Sequence, residues 1–547
     1  MRSLNFAPKY VLLAFFLSLC TMAWGAVPTI TVASPANGAA VGAPTYFDAT
    51  ASTASCASGI SAMRIYTAPG VNAFTTDSFH LETFLNLKAG TYNTVIQAWD
   101  NCGGVTKVSR TITVTAAAGV HVFLPTLGSS TTPVHFAASA ESPGCAKGIS
   151  ALRIYPTQGA NAYTIRGATL DAFIDLLPGN YNNVVVQAWD NCGNTFRASL
   201  AILDTGGPNG QFLYMTDTEA NNIAMYQIKN GVLSIPGGGS EPPTFDVEAA
   251  PHSVAVDPPG NFAYAGLDDG RVAVFEINRA NGDLFLKQTI KGPSSGPAYL
   301  TVDRAGAFLF VAEFSSNKVA SFRINRSSGL LTFIGEVATG NSPTSITTDF
   351  TGHFVYVANY NSMNISGYSL DANTGVLTSV AGSPFTAGSQ PNPIAANGKF
   401  VYDIYNGGFL NGYGINPSGG SLKQVPGSPF DGPESSNIAN SLQIDPFHNL
   451  LFYSAIGFTF GTDNISAWTI ESNGVIQQSG TTTGIYSPSS IALDPSYQYV
   501  YLSQVNGYTG APQVLSAQYS ASNGGGTIIS GPLNRPPATP TQLAVSQ

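Results

Sequence analysis

The hydrophobic pattern of this chain has period two almost throughout, with short alternating runs cut by Gly, Pro, Asn and Asp. Such runs predict half-buried β-strands joined by tight turns. In the C-terminal part the pattern repeats on a longer scale. Aromatic or aliphatic pairs two residues apart recur as Phe212/Tyr214, Phe262/Tyr264, Phe308/Phe310, Phe354/Tyr356, Phe400/Tyr402, Leu450/Phe452 and Tyr499/Tyr501, in steps of 46 to 50 residues. Each unit has one grammar. A P-x-x-I/V/L strand such as Pro251 to Val254 is followed by an Asp-containing turn, the aromatic-pair strand, an alternating strand such as Val272 to Ile277, and a Gly-containing hairpin. Four strands in each of seven units predict a seven-bladed β-propeller over residues 211–547. The first unit lacks its P-x-x-I strand, and Pro540 to Val545 reads as that missing strand, so the last residues are expected to close the ring.

A different repeat precedes the propeller. Residues 56–103 and 145–193 share C-A-x-G-I-S-A-x-R-I-Y, then G-x-Y-N, then V-x-Q-A-W-D-N-C-G, at an offset of about 90 residues, the size of a small β-sandwich. These copies resemble bacterial immunoglobulin-like domains, over 26–115 and 119–203. The resemblance implies that Tyr92 and Tyr181 cap a corner near the start of a late strand. Trp99 and Trp189 are expected to pack in the core, and Arg64 and Arg153 to form structural ion pairs. A Gly-rich linker, residues 204–210, follows. The fold class is therefore all-β: two immunoglobulin-like sandwiches, then the propeller.

Composition fits this picture and narrows the function. Charged residues make up only 10% of 547, and the net charge is −9. Acidity without basic clusters argues against nucleic-acid binding. Arg2 and Lys9 followed by the apolar stretch from Val11 to Cys20 read as a signal peptide, with cleavage after Gly25. Leu17 to Cys20 resembles a lipobox, but Leu19 is not the small residue such a signal requires. No later segment reaches transmembrane length. The chain is thus expected to be exported, either periplasmic or secreted. Cys56, Cys102, Cys145 and Cys192 then remain; four cysteines allow three pairings, and the repeat favours Cys56–Cys102 and Cys145–Cys192. Each bridge closes a loop of about 47 residues, worth about 4 kcal/mol in the chain-entropy account. Cysteines this far apart lack zinc spacing, and neither metal nor cofactor is expected.

The propeller repeats resemble the lactonase-type seven-bladed family, which includes 6-phosphogluconolactonase-like and muconate-cycloisomerase-like proteins, and also the Y-V-x-N repeats of surface-layer proteins. The residues that carry the resemblance are Phe354 to Asn359, Thr374 to Thr378 and the G-S-P-F segments at 382–385 and 427–430. One blade comes nearer to the enzymes, with Pro251-His252-Ser253, Asp257-Pro258 and Asp269-Gly270-Arg271-Val272. The resemblance places His252 and Arg271 toward a central pocket. In the next blade the family's G-P-R-H stands as Gly296-Pro297-Ala298-Tyr299, and its N-E pair as Glu313-Phe314. Lactone hydrolysis needs a base to activate water and donors for the oxyanion, and His252, Arg271 and Glu313 are the candidates for these roles. Asp217, Asn359, Tyr405 and Gln504, at matching positions after the aromatic strands, are candidates for lining a ligand pocket. The Asp residues at 257, 303, 349, 445 and 494 read as structural. The sequence favours an exported binding or scaffold protein, with a carbohydrate-like or lactone ligand or a cell-surface partner; the alternative is a lactone hydrolase.

Overall fold

A computed structural model describes residues 27–546 apart from 131–133, 157–162, 205–211, 293–295, 433–437, 457–463, 506–511, 535–539 and scattered single residues and pairs. The segment read as a signal peptide and nearly all of the Gly-rich linker lie outside the described residues. The described chain is almost wholly β, with one short 3-10 turn at Pro236–Gly238.

Each N-terminal repeat folds into two facing sheets. In the first, a three-stranded sheet (Thr29–Ser34, Thr45–Ser52, His80–Leu85) packs on a five-stranded one. Phe47, Met63, Leu81, Ile96 and Ile112 fill the space between them. The second repeat has the same arrangement, with Phe136, Leu152, Leu170, Val186 and Ile202 inside. In both, a short strand lies parallel to the last one: Ala40–Val41 along Thr113 and Val114, and Gly128–Ser130 along Ile202 to Asp204. Tyr92 donates its hydroxyl to the Lys88 carbonyl four residues upstream (3.0 Å). The bridges Cys56–Cys102 and Cys145–Cys192 are both formed.

Trp99 and Trp189 do not enter the cores. Ile96 and Ala98 take the inward positions of their strand, so Trp99 stands half-buried on the outer face. There the Arg64 guanidinium lies 5.3 Å from its ring, and Arg153 lies 5.2 Å from that of Trp189. The repeated arginines are also held by neutral acceptors, with Arg64 Nε donating to Thr75 Oγ1 and Arg153 Nε to Thr164 Oγ1. They form cation–π pairs, not the expected ion pairs.

The two sandwiches meet through the outer faces of their three-stranded sheets. Tyr46, Phe84 and Phe123 cluster with centroids 4.9–6.3 Å apart, and His135 stacks on Phe173 at 4.3 Å. Propeller residues seal this seam: Arg326 pairs with Asp171 and donates to the Ala305 carbonyl, and Ser327 meets Ser78 and Glu82.

Among the described residues seven sheets of four or five strands follow, each ordered from the centre outward in chain order except the first. That sheet takes its innermost strand from the other end of the chain: Pro540–Ser546 pairs antiparallel with Phe212–Asp217. The seam is thus closed by backbone hydrogen bonds, and the ring has no free edge there.

The repeated residues explain how the blades hold one another. The first aromatic of each pair covers the hairpin glycine of the following blade. A Cβ on Gly282 would come within 2.4 Å of the Phe212 ring, and one on Gly420 within 2.3 Å of Phe354. Both glycines have positive φ (84° at Gly282, 72° at Gly420), which favours glycine in its own right. The second aromatic then donates its hydroxyl to that glycine's carbonyl: Tyr214 to Gly282, Tyr264 to Gly329, Tyr356 to Gly420 and Tyr402 to Gly474, at 2.7–3.2 Å. The seam obeys the same rule, with Tyr499 of the last blade over Gly231 of the first. The turn aspartates are structural: Asp257 Oδ1 accepts from the amides of Asn261 and Phe262, and Asp303 and Asp349 act likewise.

Candidate functional site

The seven innermost strands surround a central channel of about 750 Å³ to which every blade contributes. Its wall combines aliphatic side chains with hydroxyls and amides. Several of those polar groups bind one blade to the next. Ser345 Oγ accepts from the Ile394 amide, Ser441 from Ile491, Ser490 from Leu543, and Gln542 Oε1 from Val254 (3.0–3.2 Å). Strand amides that face the channel thereby find acceptors in the neighbouring blade. Thr344 Oγ1 is buried in this wall with no hydrogen-bond partner among the described residues.

Two titratable groups line the channel among the described residues, His252 and Tyr299. Their rings meet edge to face, 6.4 Å between centroids. His252 is half-buried, and burial pushes its pKa below the usual imidazole value, partly offset by Asp268. A neutral ring able to accept a proton results at neutral pH. Burial pushes the Tyr299 phenol up, so it stays protonated and able to donate. Tyr299 was not among the residues selected from the sequence. The signal for it was its place in Gly296-Pro297-Ala298-Tyr299, where the family motif ends in histidine.

The other two candidate catalytic residues lie away from the channel lining. Glu313, the last residue of Phe308–Glu313, is buried within its blade and accepts from Ser316 Oγ (2.8 Å). Its Oε1 lies against Gly292, where a Cβ would come within 2.5 Å. Arg271 is partly exposed, paired to Asp269 (2.6 Å) and Glu248. The structure therefore brings His252 together with Tyr299, and not with Arg271 or Glu313, as lining of one cavity.

The candidate pocket residues after the aromatic strands also lie off the channel lining. Asp217 is buried and accepts from the amides of Glu219 and Ala220. Asn359 donates to Asn364 and Ser366, and Gln504 to Gln513, all within their own blades. Tyr405 stacks on Phe409 at 5.4 Å. They sit at the ends of the second strands, where they face strand neighbours.

At the opposite mouth is a smaller cavity of about 380 Å³. There Arg304 lies 3.3 Å above the Phe350 ring, and Phe350, Phe447 and Tyr497 continue edge to face. All four come from the aspartate turns. Among the described residues, the groups of three metal-capable side chains lie outside the channel. Two contain the bridged cysteines, and the third is Glu82, His135 and Asp171 at the sandwich seam. In the third group Arg326 already neutralises Asp171.

Residues 206–391 match the family described as Lactonase, 7-bladed beta-propeller. That match covers about a third of the chain and falls almost wholly within the propeller. The 6-phosphogluconolactonase of Bacillus subtilis (strain 168) is 27% identical over 139 residues, which is 24% of this chain and 39% of that protein. The 6-phosphogluconolactonase of Formosa agariphila is 26% identical over 126 residues, 22% of this chain and 36% of that protein. The matches thus span less than two-fifths of these relatives' own length. The solved structure of Pseudomonas aeruginosa periplasmic gluconolactonase aligns with a TM-score of 0.50 and 16% identity, covering 62% of this chain and 99% of that one. That likeness concerns the fold. The lactonase-type match lies on the propeller, and the sandwiches stand outside it.

Proposed function

We propose that this chain is an exported lactone hydrolase whose propeller channel takes a small, uncharged, polyhydroxylated lactone. The observation that carries this reading is the pairing of His252 and Tyr299 in a channel otherwise lined by hydroxyls, amides and aliphatic groups. Neutral His252 would accept a proton from water as it attacks the lactone carbonyl. The Tyr299 hydroxyl would donate to the oxyanion that forms, and collapse would expel the ring oxygen, which takes the proton held by His252 to leave a hydroxyl and a carboxylic acid. The likeness to lactonases supports the reaction class. Among the described lining residues there is no Lys or Arg to pair with a phosphate, which supports an unphosphorylated substrate.

A second reading, an exported binding or scaffold protein, draws support from Arg271 and Glu313, which are engaged by other residues away from the channel lining. Both readings share the same organisation: a signal peptide over 1–25, modules over 26–115 and 119–203, and a propeller over 211–547. The strand order of the sandwiches, the parallel short strand and the Tyr92 corner support an immunoglobulin-like assignment for the modules. Two formed disulfides fit an oxidising compartment. Assaying the full chain and His252→Ala on a panel of aldonolactones tests the proposal. Turnover lost in the variant supports hydrolysis. Saturable lactone binding without turnover gives the case to the second reading.

A further inference from the structure

A second cleft, of about 520 Å³, lies between the second sandwich and the fourth blade. Its walls come from two bodies: Arg153, Thr164 and Arg166 from the sandwich, His353, Ser369 and Thr378 from the propeller. Cavities of this size at domain boundaries are common ligand sites.

The charge in the cleft is unusual for this chain, which has only 22 Lys and Arg in 547 residues. Two guanidiniums line it against one carboxylate, Asp371, whose Oδ1 already accepts from the amides of Asn373 and Thr374. His353 is held neutral by burial, with Arg153 and Arg166 pushing in the same direction against Asp349. Arg153 is fixed: its Nε donates to Thr164 (2.7 Å) and its guanidinium lies 5.2 Å from the Trp189 ring. Arg166 is fixed at its backbone, where its carbonyl accepts from Asn373 Nδ2 (2.6 Å).

Comparison of the two repeats separates what is structural from what is specific. The first sandwich reproduces the arginine, its tryptophan and its threonine as Arg64, Trp99 and Thr75. That trio therefore belongs to the module. At the position of Arg166, however, the first copy has Asp77. The charge at this position is opposite in the two copies, and the positive one, Arg166, is the one that lines the cleft.

We infer that this cleft binds a polyhydroxylated carboxylate, a sugar acid, with the carboxylate between Arg153 and Arg166 and its hydroxyls toward Thr164, Ser369 and Thr378. A guanidinium fork matches a carboxylate, and the hydroxyl side chains match the carbinol body. The assignment does not depend on chemistry in the channel. Such a ligand could be an aldonate, which lactone opening produces, or a uronate at the end of a polysaccharide.

Isothermal titration of the full chain with sodium gluconate and sodium galacturonate tests the site and separates the two sources. Sorbitol and sodium sulfate are the controls. The expected result is saturable binding of at least one sugar acid, weakened at least about tenfold in Arg166→Asp, which restores the first copy's residue. Arg166 is exposed, so this variant should keep the wild-type melting temperature, and Asp77→Asn should bind as wild type does. Three results would overturn the assignment: no sugar-acid binding up to about 10 mM, equal binding by Arg166→Asp, or sulfate or sorbitol binding as well as the sugar acids.

Discussion

His135 of the second sandwich holds its Nε2 3.1 Å from the Glu82 carboxylate of the first, and 2.8 Å from Asp171 of its own sheet. Glu82 and Asp171 occupy equivalent positions of the two repeats, as do Tyr46 and His135. The duplicated modules thus meet through duplicated positions: Tyr46 donates to Glu82 within the first module, and His135 at the equivalent position pairs with Asp171 and reaches across to Glu82. Arg326 from the propeller adds the second positive charge, so two carboxylates face two cations.

This seam gives a pH dependence with a defined sign. Burial alone would lower the His135 pKa, but Glu82 and Asp171 push it up to about 10. Its contribution is complete below about 6.5, the unfolded value, and is lost as pH rises through about 10. Burial would raise Glu82, but His135, Arg326 and His80 hold it below the usual carboxylate range. Its contribution is complete above the unfolded value of 4.5 and is lost as pH falls further. Module docking should therefore be strongest between about pH 4.5 and 6.5. Glu82→Gln should destabilise the docked modules by about 3 kcal/mol or more at pH 6, because it leaves His135 and Arg326 with one carboxylate. Urea unfolding at pH 6 and pH 9 measures both effects; a wild-type minus variant difference that does not shrink at pH 9 would refute the ionic account.

The blade-to-blade clasp predicts large effects from small changes. Gly420→Ala adds a methyl within 2.3 Å of Phe354 at a φ of 72°, and should cost about 2–4 kcal/mol through overpacking and backbone strain together. Tyr356→Phe removes only the hydroxyl donated to the Gly420 carbonyl, and should cost about 1 kcal/mol. Thermal unfolding of the two variants would establish this order, and a Gly420→Ala protein as stable as wild type would refute it.

The same clasp shows why the propeller was legible in the sequence. The Phe-x-Tyr pair and the hairpin glycine are each other's reason for recurring, so their period is the period of the blade. The closing role of Pro540–Ser546 was legible for a related reason, since one unit lacked an inner strand and the last residues supplied one. The channel was less so. Which positions point into it depends on the tilt of seven separate strands, and no local pattern records that tilt. Glu313 and Arg271 were drawn from a motif, but their partners Ser316, Asp269 and Glu248 turn them away from the lining. Trp99 was misassigned because alternation gives two faces and does not say which is inward. Arg64, two positions along the directly paired strand from the partner of Trp99, shares that face and was the available clue.

Ending the chain at residue 539 should open the ring at its seam. The strand Pro540–Ser546 supplies backbone bonds to Phe212–Asp217, the buried Leu543, and the Gln542 acceptor for the Val254 amide. Removing it creates a free sheet edge and exposes the face of the first blade. The melting temperature should fall by at least about 5 °C, on the scale of a loss of several kcal/mol in a chain this large. Circular dichroism melting of the shortened chain beside the full one checks this; coincident curves would show that the seam does not support the ring.

His252 and Tyr299 carry the catalytic proposal, and their two roles separate experimentally. If His252 is the general base, its neutral form is the active one. Because burial lowers its pKa, kcat/KM should be flat near pH 7 and fall on the acid side with a midpoint below 6.5. His252→Ala should reduce kcat/KM by about 10²–10⁴ and abolish that acid limb. If Tyr299 donates to the oxyanion, Tyr299→Phe should lower kcat by about 10²–10³ with KM little changed, because the interaction strengthens in the transition state. A Tyr299→Phe enzyme altered only in KM would make the phenol a ground-state binding group. An unchanged acid limb in His252→Ala would place the base elsewhere. Both variants leave the blade-to-blade bonds of the Ser345, Ser441 and Ser490 hydroxyls untouched, so loss of rate with an unchanged melting temperature would be read as chemistry and not as collapse of the channel.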